Sequence, residues 1–137
     1  MRLKAILLLT FLLVISAASL NAQDAFFTSF YAGLIDNDNP FHEYRLTVQE
    51  DNSDLLVDLR ATSGDLDTVL YLVDNSGAII AESDDRARDD TNSLLDFRRA
   101  VAGDYTLIAT RFDVQSGQTA GDFELNGCLS TDYLNGF

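Results

Sequence analysis

Short runs of alternating apolar and polar residues, closed by turn signals about every 8–12 residues, dominate this chain and limit what it can fold into. Tyr44, Leu46 and Val48 alternate with Arg45, Thr47 and Gln49, and Leu55, Val57 and Leu59 alternate with Leu56, Asp58 and Arg60. A period of two puts one set on a buried sheet face and the other in water. Thr68 to Val73 is continuously apolar after Thr68, the pattern of a strand covered on both faces. Asp74-Asn75-Ser76-Gly77 is a strong turn, because Asn and Gly tolerate positive φ and Asp and Ser bond the local backbone. Ala78 to Ala81 then returns as the second arm of a hairpin. Leu95 and Phe97 mark another strand. Ala102-Gly103-Asp104 is a turn before Tyr105, Leu107 and Ala109, and Phe123 and Leu125 open the last strand after a polar loop from Gln115 to Gly121. Phe27 to Leu34 supplies the first strand, with Phe26, Phe27, Phe30 and Tyr31 as its core face. No segment carries a helical period. About eight short antiparallel strands make the chain all-β, a sandwich or jelly roll. Tyr71, Leu107 and Phe123, each mid-strand, are expected in one core.

The first two dozen residues differ from the rest. Arg2 and Lys4 precede an apolar run from Ala5 to Ile15, and Ser16 to Ala22 is small and polar. That is the pattern of a secretory signal peptide, and the run is too short for a spanning helix, which needs about 20 apolar residues. The expected organisation is a signal over 1–22, cut between Ala22 and Gln23, then one β-sandwich domain over 23–137, with no membrane span after cleavage. A cut after Ala18 or Ser19 is the alternative. The chain is expected outside the cytoplasm, in the medium or a periplasm. Residues 23–137 hold all 22 acidic residues and seven basic ones, a net charge of −15. Such a chain is repelled by nucleic acid and anionic lipid; its natural partners are cations or basic surfaces, unless the charge serves solubility alone. Cys128 is the only cysteine, so no intrachain disulfide is available, and its neighbours Phe123, Leu125 and Leu129 point to a buried thiol. The tail from Ser130 carries Tyr133, Leu134 and Phe137, which are able to cover a sheet edge.

The candidate chemistry is acidic. Asp65, Asp67, Asp84, Asp85, Asp89, Asp90 and Asn92 fall on the start of one hairpin arm and on the loop after the other. Calcium takes six to eight oxygens at about 2.3–2.6 Å from carboxylates, amides and carbonyls, and this set offers them. Hairpin pairing brings the start of one arm beside the end of the other, so Asp67 and Asp84 are expected as neighbours. Their repulsion requires a cation, a proton or donors. Two solutions stay open: calcium, or hydrogen bonds from Arg86, Arg88 and the loop's own N–H groups. Asp36-Asn37-Asp38-Asn39 starts like a helix-loop-helix calcium loop, but Pro40 and Phe41 stand where a ligand and a glycine belong, so it reads as a turn. His42 is the sole histidine; no second one follows to make a zinc-protease helix, and a strand-edge position fits it. There is no Gly-x-Ser-x-Gly elbow, no base near Cys128 and no tryptophan for a sugar cleft. These residues favour a non-enzyme.

An ordered set of short motifs resembles a known family. Gly64-Asp65-Leu66-Asp67-Thr68-Val69-Leu70-Tyr71-Leu72 leads to the turn Asp74-Asn75-Ser76-Gly77, then to Ala81-Glu82-Ser83-Asp84-Asp85, Ala102-Gly103-Asp104-Tyr105-Thr106-Leu107 and Gly121-Asp122-Phe123-Glu124-Leu125. From Phe41 to Leu129 this order resembles the bacterial pre-peptidase C-terminal domain. The resemblance implies a jelly-roll-like antiparallel β-sandwich that accompanies exported enzymes without being catalytic, here as a free-standing copy. Relatives in bacterial collagenases bind collagen and calcium, the latter through an acidic segment before the first strand, where Gln23 to Phe30 offers only Asp24. The combined expectation is a secreted binding or stabilising module, calcium-assisted, whose partner is an extracellular protein or polysaccharide. The rivals are a self-associating envelope protein without a discrete ligand, and an enzyme of unrecognised type.

Overall fold

Alternation along the chain becomes two stacked sheets in the computed structural model, which describes residues 27–130. The strands are β1 (Phe27–Ile35), β2 (Phe41–Val48), β3 (Ser53–Ala61), β4 (Thr68–Val73), β5 (Ile79–Ser83), β6 (Ser93–Ala100), β7 (Gly103–Arg111) and β8 (Gly121–Ser130). One sheet has the order β1-β8-β3-β6 and the other β2-β7-β4-β5. All pairings are antiparallel. Only β4 and β5 are consecutive partners in one sheet; every other connection crosses to the opposite sheet, the winding of a jelly-roll-like sandwich.

Period-2 burial explains the register. In β3, Leu55, Val57 and Leu59 are buried while Leu56 and Arg60 are exposed, and in β8 Phe123 and Leu125 are buried while Asp122 and Glu124 face water. Pairing Leu59 with Leu125 and Leu72 with Leu107 sets these inward faces opposite each other across one core. Ile35, Val57, Leu59, Leu70 and Ala109 are wholly buried there. Burying one such aliphatic side chain stabilises by about 1.5–3 kcal/mol.

Four expectations change, the first being the core face of β1: Phe30 and Tyr31 are exposed, 59% and 41%. Tyr71 does not join Leu107 and Phe123: β4 turns Leu70 and Leu72 inward, so Tyr71 lies on its other face, half-buried. Cys128 is half-buried rather than buried, because it pairs with the exposed Leu56 on the face opposite Leu125, and partial burial raises its thiol pKa. The returning hairpin arm is placed at Ile79–Ser83, later than Ala78 to Ala81. The signal segment 1–22, Asp24, Phe26 and the tail residues Tyr133, Leu134 and Phe137 lie outside the described residues.

Candidate metal centre

The open end of the β4–β5 hairpin gathers three carboxylates. Leu70 pairs with Ser83 and Tyr71 with Glu82, so Asp67, just before β4, arrives beside Asp84 and Asp85, just after β5. One carboxylate oxygen from each lies within 4.8 Å of the others.

Hydroxyl contacts with β6 of the opposite sheet fix both arms. Thr68 and Ser93 are fully buried with their hydroxyls 2.8 Å apart, and the Ser93 Oγ donates to the Thr68 carbonyl at 2.7 Å. Thr68 N–H donates to the Thr91 carbonyl. Ser83 Oγ donates to the Leu94 carbonyl at 2.9 Å and accepts the Leu94 N–H at 3.1 Å. The residues next to Asp67 and Asp84 are therefore both anchored to β6. The β7–β8 loop holds Asp67 from the other side: Phe112 N–H donates to the Asp67 carbonyl, and Asp67 N–H donates to Thr119 Oγ1.

Nothing among the described residues neutralises the acidic group. The Oδ1 atoms of Asp67 and Asp84 are buried and accept no hydrogen bond there. Burial, then the charges of Asp84 and Asp85, raise the Asp67 pKa above its ordinary value. Burial, then Asp85 and Glu82, raise that of Asp84. Tyr71 is raised as well, by burial and then by Glu82 and Asp84.

The remaining candidates build the loop instead. Asp65 Oδ1 accepts the Ala120 N–H at 3.0 Å. Asp90 Oδ1 accepts the Asn92 N–H and the Asn92 side-chain amide, which keep its pKa low, while Asn92 Oδ1 accepts the Ala61 N–H at 2.8 Å. Asp89 is exposed and stands apart from the three-carboxylate group. Arg86 pairs with Asp58 rather than with Asp67 or Asp84, and Arg88 is exposed. The Ala87–Asp90 bridge closes this loop on itself, and Asp90 is not part of the three-carboxylate group.

Elsewhere, Asp36 Oδ1 caps a turn by accepting the N–H groups of Asp38 and Asn39. His42, on the edge strand β2, donates from Nε2 to the Leu34 carbonyl and sets its ring edge-on to Phe123. At the opposite end of β4 an open groove of about 540 Å³ is lined by Arg45, Thr47, Asp74, Asn75, Asp104 and Thr106 among others. Sequence reasoning gave no role to Arg111, 1% exposed, which donates to the carbonyls of Val114 and Thr119 and to Asn37 Oδ1. Its signal is an arginine that ends an apolar strand just ahead of a polar loop.

The sequence model of the bacterial pre-peptidase C-terminal domain matches residues 41–111. The match spans β2 to β7, so the final Gly121 to Leu125 motif lies beyond it. No curated protein sequence matches. Among solved structures, the pre-peptidase C-terminal domain of collagenase from Bacillus anthracis superposes with a TM-score of 0.57 at 16% identity, covering 73% of this chain and 88% of that one. Aeromonas hydrophila PliG, a periplasmic lysozyme inhibitor of g-type lysozyme, superposes with a TM-score of 0.56 at 11% identity, covering 77% and 88%. At these identities the likeness is one of fold.

Proposed function

The chain belongs to the bacterial pre-peptidase C-terminal domain family, and from that membership and the hairpin geometry we propose a non-catalytic, exported binding module whose fold is stabilised by calcium at Asp67, Asp84 and Asp85. The observation that supports the metal is the pair of buried Oδ1 atoms, on Asp67 and Asp84, with no donor. Two oxygens on one calcium ion stand at most about 4.6–5.2 Å apart, so a group that fits within 4.8 Å can share one ion. Main-chain carbonyls and water complete the shell of a hard cation. Bound there, calcium offsets the repulsion that no arginine relieves and ties the β4–β5 hairpin at its open end.

Calcium should raise the melting temperature of residues 23–137 and a chelator should lower it, because a ligand that binds the native state alone stabilises it by mass action. Asp84→Asn should remove that response. A melting curve indifferent to both calcium and chelator sinks the metal reading.

The partner in this reading is an extracellular protein or polysaccharide. The groove at the far end of β4 supports it by offering the Arg45 guanidinium and Asn75 amide as donors beside the carboxylates of Asp74 and Asp104. Loss of capture by envelope material on Asn75→Ala with Arg45→Ala is the expected result. A second reading takes the partner to be a basic enzyme, as PliG is named for a lysozyme. The observation favouring it is the net charge of −15 over residues 23–137. Direct assay against a g-type lysozyme, with and without added salt, tests it.

A further inference from the structure

The four outermost strands are not alike. β1 and β6 end one sheet, β2 and β5 the other. An unpaired edge presents a row of N–H and C=O groups to any other strand, and chains blunt it with charge, proline, bulges or brevity. β6 carries Asp96, Arg98 and Arg99, the last at φ 58°, and its register with β3 shifts between Ser53 and Leu55. β5 is five residues long, holds Glu82 and shifts register against β4. β2 follows Pro40 and carries Glu43 and Arg45. β1 has none of these devices. Its nine residues, Phe27–Ile35, hold no charge and no proline, and its register with β8 runs unbroken along the whole strand. They belong to the longest uncharged run in residues 23–137, Ala25 to Ile35. Among the described strands, only β8 pairs with β1. The side chains along this edge are apolar as well. Phe30, Tyr31 and Leu34 of β1 and Phe41 of β2 are four of the ten large apolar residues left exposed among the described ones. Tyr31 meets Tyr44 of β2 with ring centroids 4.5 Å apart. His42 ties the Leu34 carbonyl to β2, which leaves the stretch before Leu34 for a partner strand.

We propose that the β1 edge pairs with the same edge of a second copy of this chain, antiparallel about a two-fold axis. The sheet then runs through both protomers in the order β6-β3-β8-β1-β1-β8-β3-β6. Charge selects this occupant. Residues 23–137 carry −15, so two copies repel over most of their surfaces and approach most closely where neither bears a charge. A basic partner would gain most on the acidic surfaces and nothing from an uncharged edge. An identical strand met antiparallel is self-complementary, the isologous contact of a two-fold dimer. Nine residues at about 3.3 Å each span about 30 Å, and stacked sheets lie about 10 Å apart. The shared strip is therefore smaller than the roughly 800 Å² per partner of a standard interface, and the dimer is weak and concentration-dependent. The inference is independent of the calcium reading, because Asp67, Asp84 and Asp85 flank the β4–β5 hairpin of the other sheet.

The test is sedimentation of residues 23–137 in reductant, at protein concentrations from about 1 to about 500 µM. A reversible monomer–dimer equilibrium is expected, and added salt should tighten it by screening the repulsion between two like-charged chains. Phe30→Lys should raise the dissociation constant about tenfold or more and leave the melting temperature of dilute protein unchanged, because the ring is exposed in the monomer. A lysine lowers the net negative charge, so added repulsion between whole chains does not explain that loss. Ala32→Lys, at a second exposed position of β1, carries the same comparison should Phe30→Lys not fold. Leu56→Lys, exposed on the outer face of the same sheet but in the inner strand β3, should leave the dimer intact. In a Cys128→Ser background, a nitroxide on Ala32→Cys should show strong dipolar broadening in the dimer, since paired strands lie about 4.8 Å apart. A monomer at every concentration and salt level overturns the proposal. So does a dimer that the β1 lysines leave intact or that Leu56→Lys disrupts, which places the contact on a face, and so does a dimer whose Ala32 labels stay unbroadened.

Discussion

Arg111 is buried and Asp67 half-buried with one oxygen enclosed, and the fold treats the two in opposite ways. Arg111 reaches two carbonyls and an amide oxygen, so its guanidinium pins the β7–β8 loop to the β1–β2 turn. Its removal orphans those acceptors. Arg111→Met should cost about 2–4 kcal/mol in urea melts, and Arg111→Lys, which keeps the charge but not the planar fork, should recover only part of it. Asp67 and Asp84 keep buried oxygens without donors, and their raised pKa values make a pH prediction. A carboxyl whose folded pKa lies above its unfolded value binds more protons folded than unfolded. Stability from these two groups is therefore present at low pH and falls as pH rises from the ordinary carboxylate value of 3.8 through their raised values. Asp74, Asp90 and Asp96 are lowered by their hydrogen bonds and act the other way, losing stability as pH falls below that ordinary value. In chelator, the wild type should thus gain stability relative to Asp84→Asn as the pH drops from 7 toward that window. In saturating calcium, which requires the ionised form, the relative slope should reverse. An unchanged difference at every pH and metal level would show that Asp84 is simply solvated.

At the scale of strands, legibility follows from whether the pattern alternates. β2 is readable because each apolar residue is flanked by polar ones, and in β3 Asp58 and Arg60 mark the outward set that the apolar Leu56 shares. β4 is apolar at every position after Thr68, so its sequence fixes its existence and bounds but carries no parity, and Tyr71 falls on the face that sequence reasoning did not give it. The hairpin rule is enough to bring Asp67 beside Asp84, since it depends only on two arms and a turn. It says nothing of Asp90 and Asn92, whose positions depend on a loop closing through Ala87–Asp90 and on Ala61 donating to Asn92 from another strand. Nor does it show the Thr68–Ser93 hydroxyl pair, a contact between sheets. Phe123 tests the register directly. It is 1% exposed, packs against Gly33 and His42, and belongs to the shared core. Phe123→Ala should cost about 3–5 kcal/mol by denaturant melting. A loss under about 1 kcal/mol would mean that β8 is slipped by one residue, since such a slip moves the ring to the solvent face.

Across the whole molecule, the two sheets have no separate cores. Ile35, Leu55, Val57, Leu59, Leu95, Phe123 and Leu125 of one sheet pack with Leu70, Leu72, Leu107 and Ala109 of the other in a single cluster. Neither sheet buries its apolar face without its partner, so unfolding should be one cooperative transition, with tyrosine fluorescence and far-UV signals coincident in denaturant. That unit begins at β1, and Phe27 is its first described residue. Cleavage after Ala22 leaves four residues ahead of β1, and cleavage after Ala18 or Ser19 leaves only a few more, so each cut spares every strand. The tripartite start, with Arg2 and Lys4, the apolar run to Ile15 and the small residues to Ala22, favours export and removal. Removing it also deletes two of the nine basic residues and none of the acidic ones, which raises the negative charge from −13 to −15. Intact-mass measurement on the exported protein should give a chain starting at Gln23. A recombinant chain starting there should melt at the same temperature, because no strand differs. An exported protein that keeps Met1 to Ala22 would instead make this segment an anchor, and the acidic module would work tethered to a membrane surface.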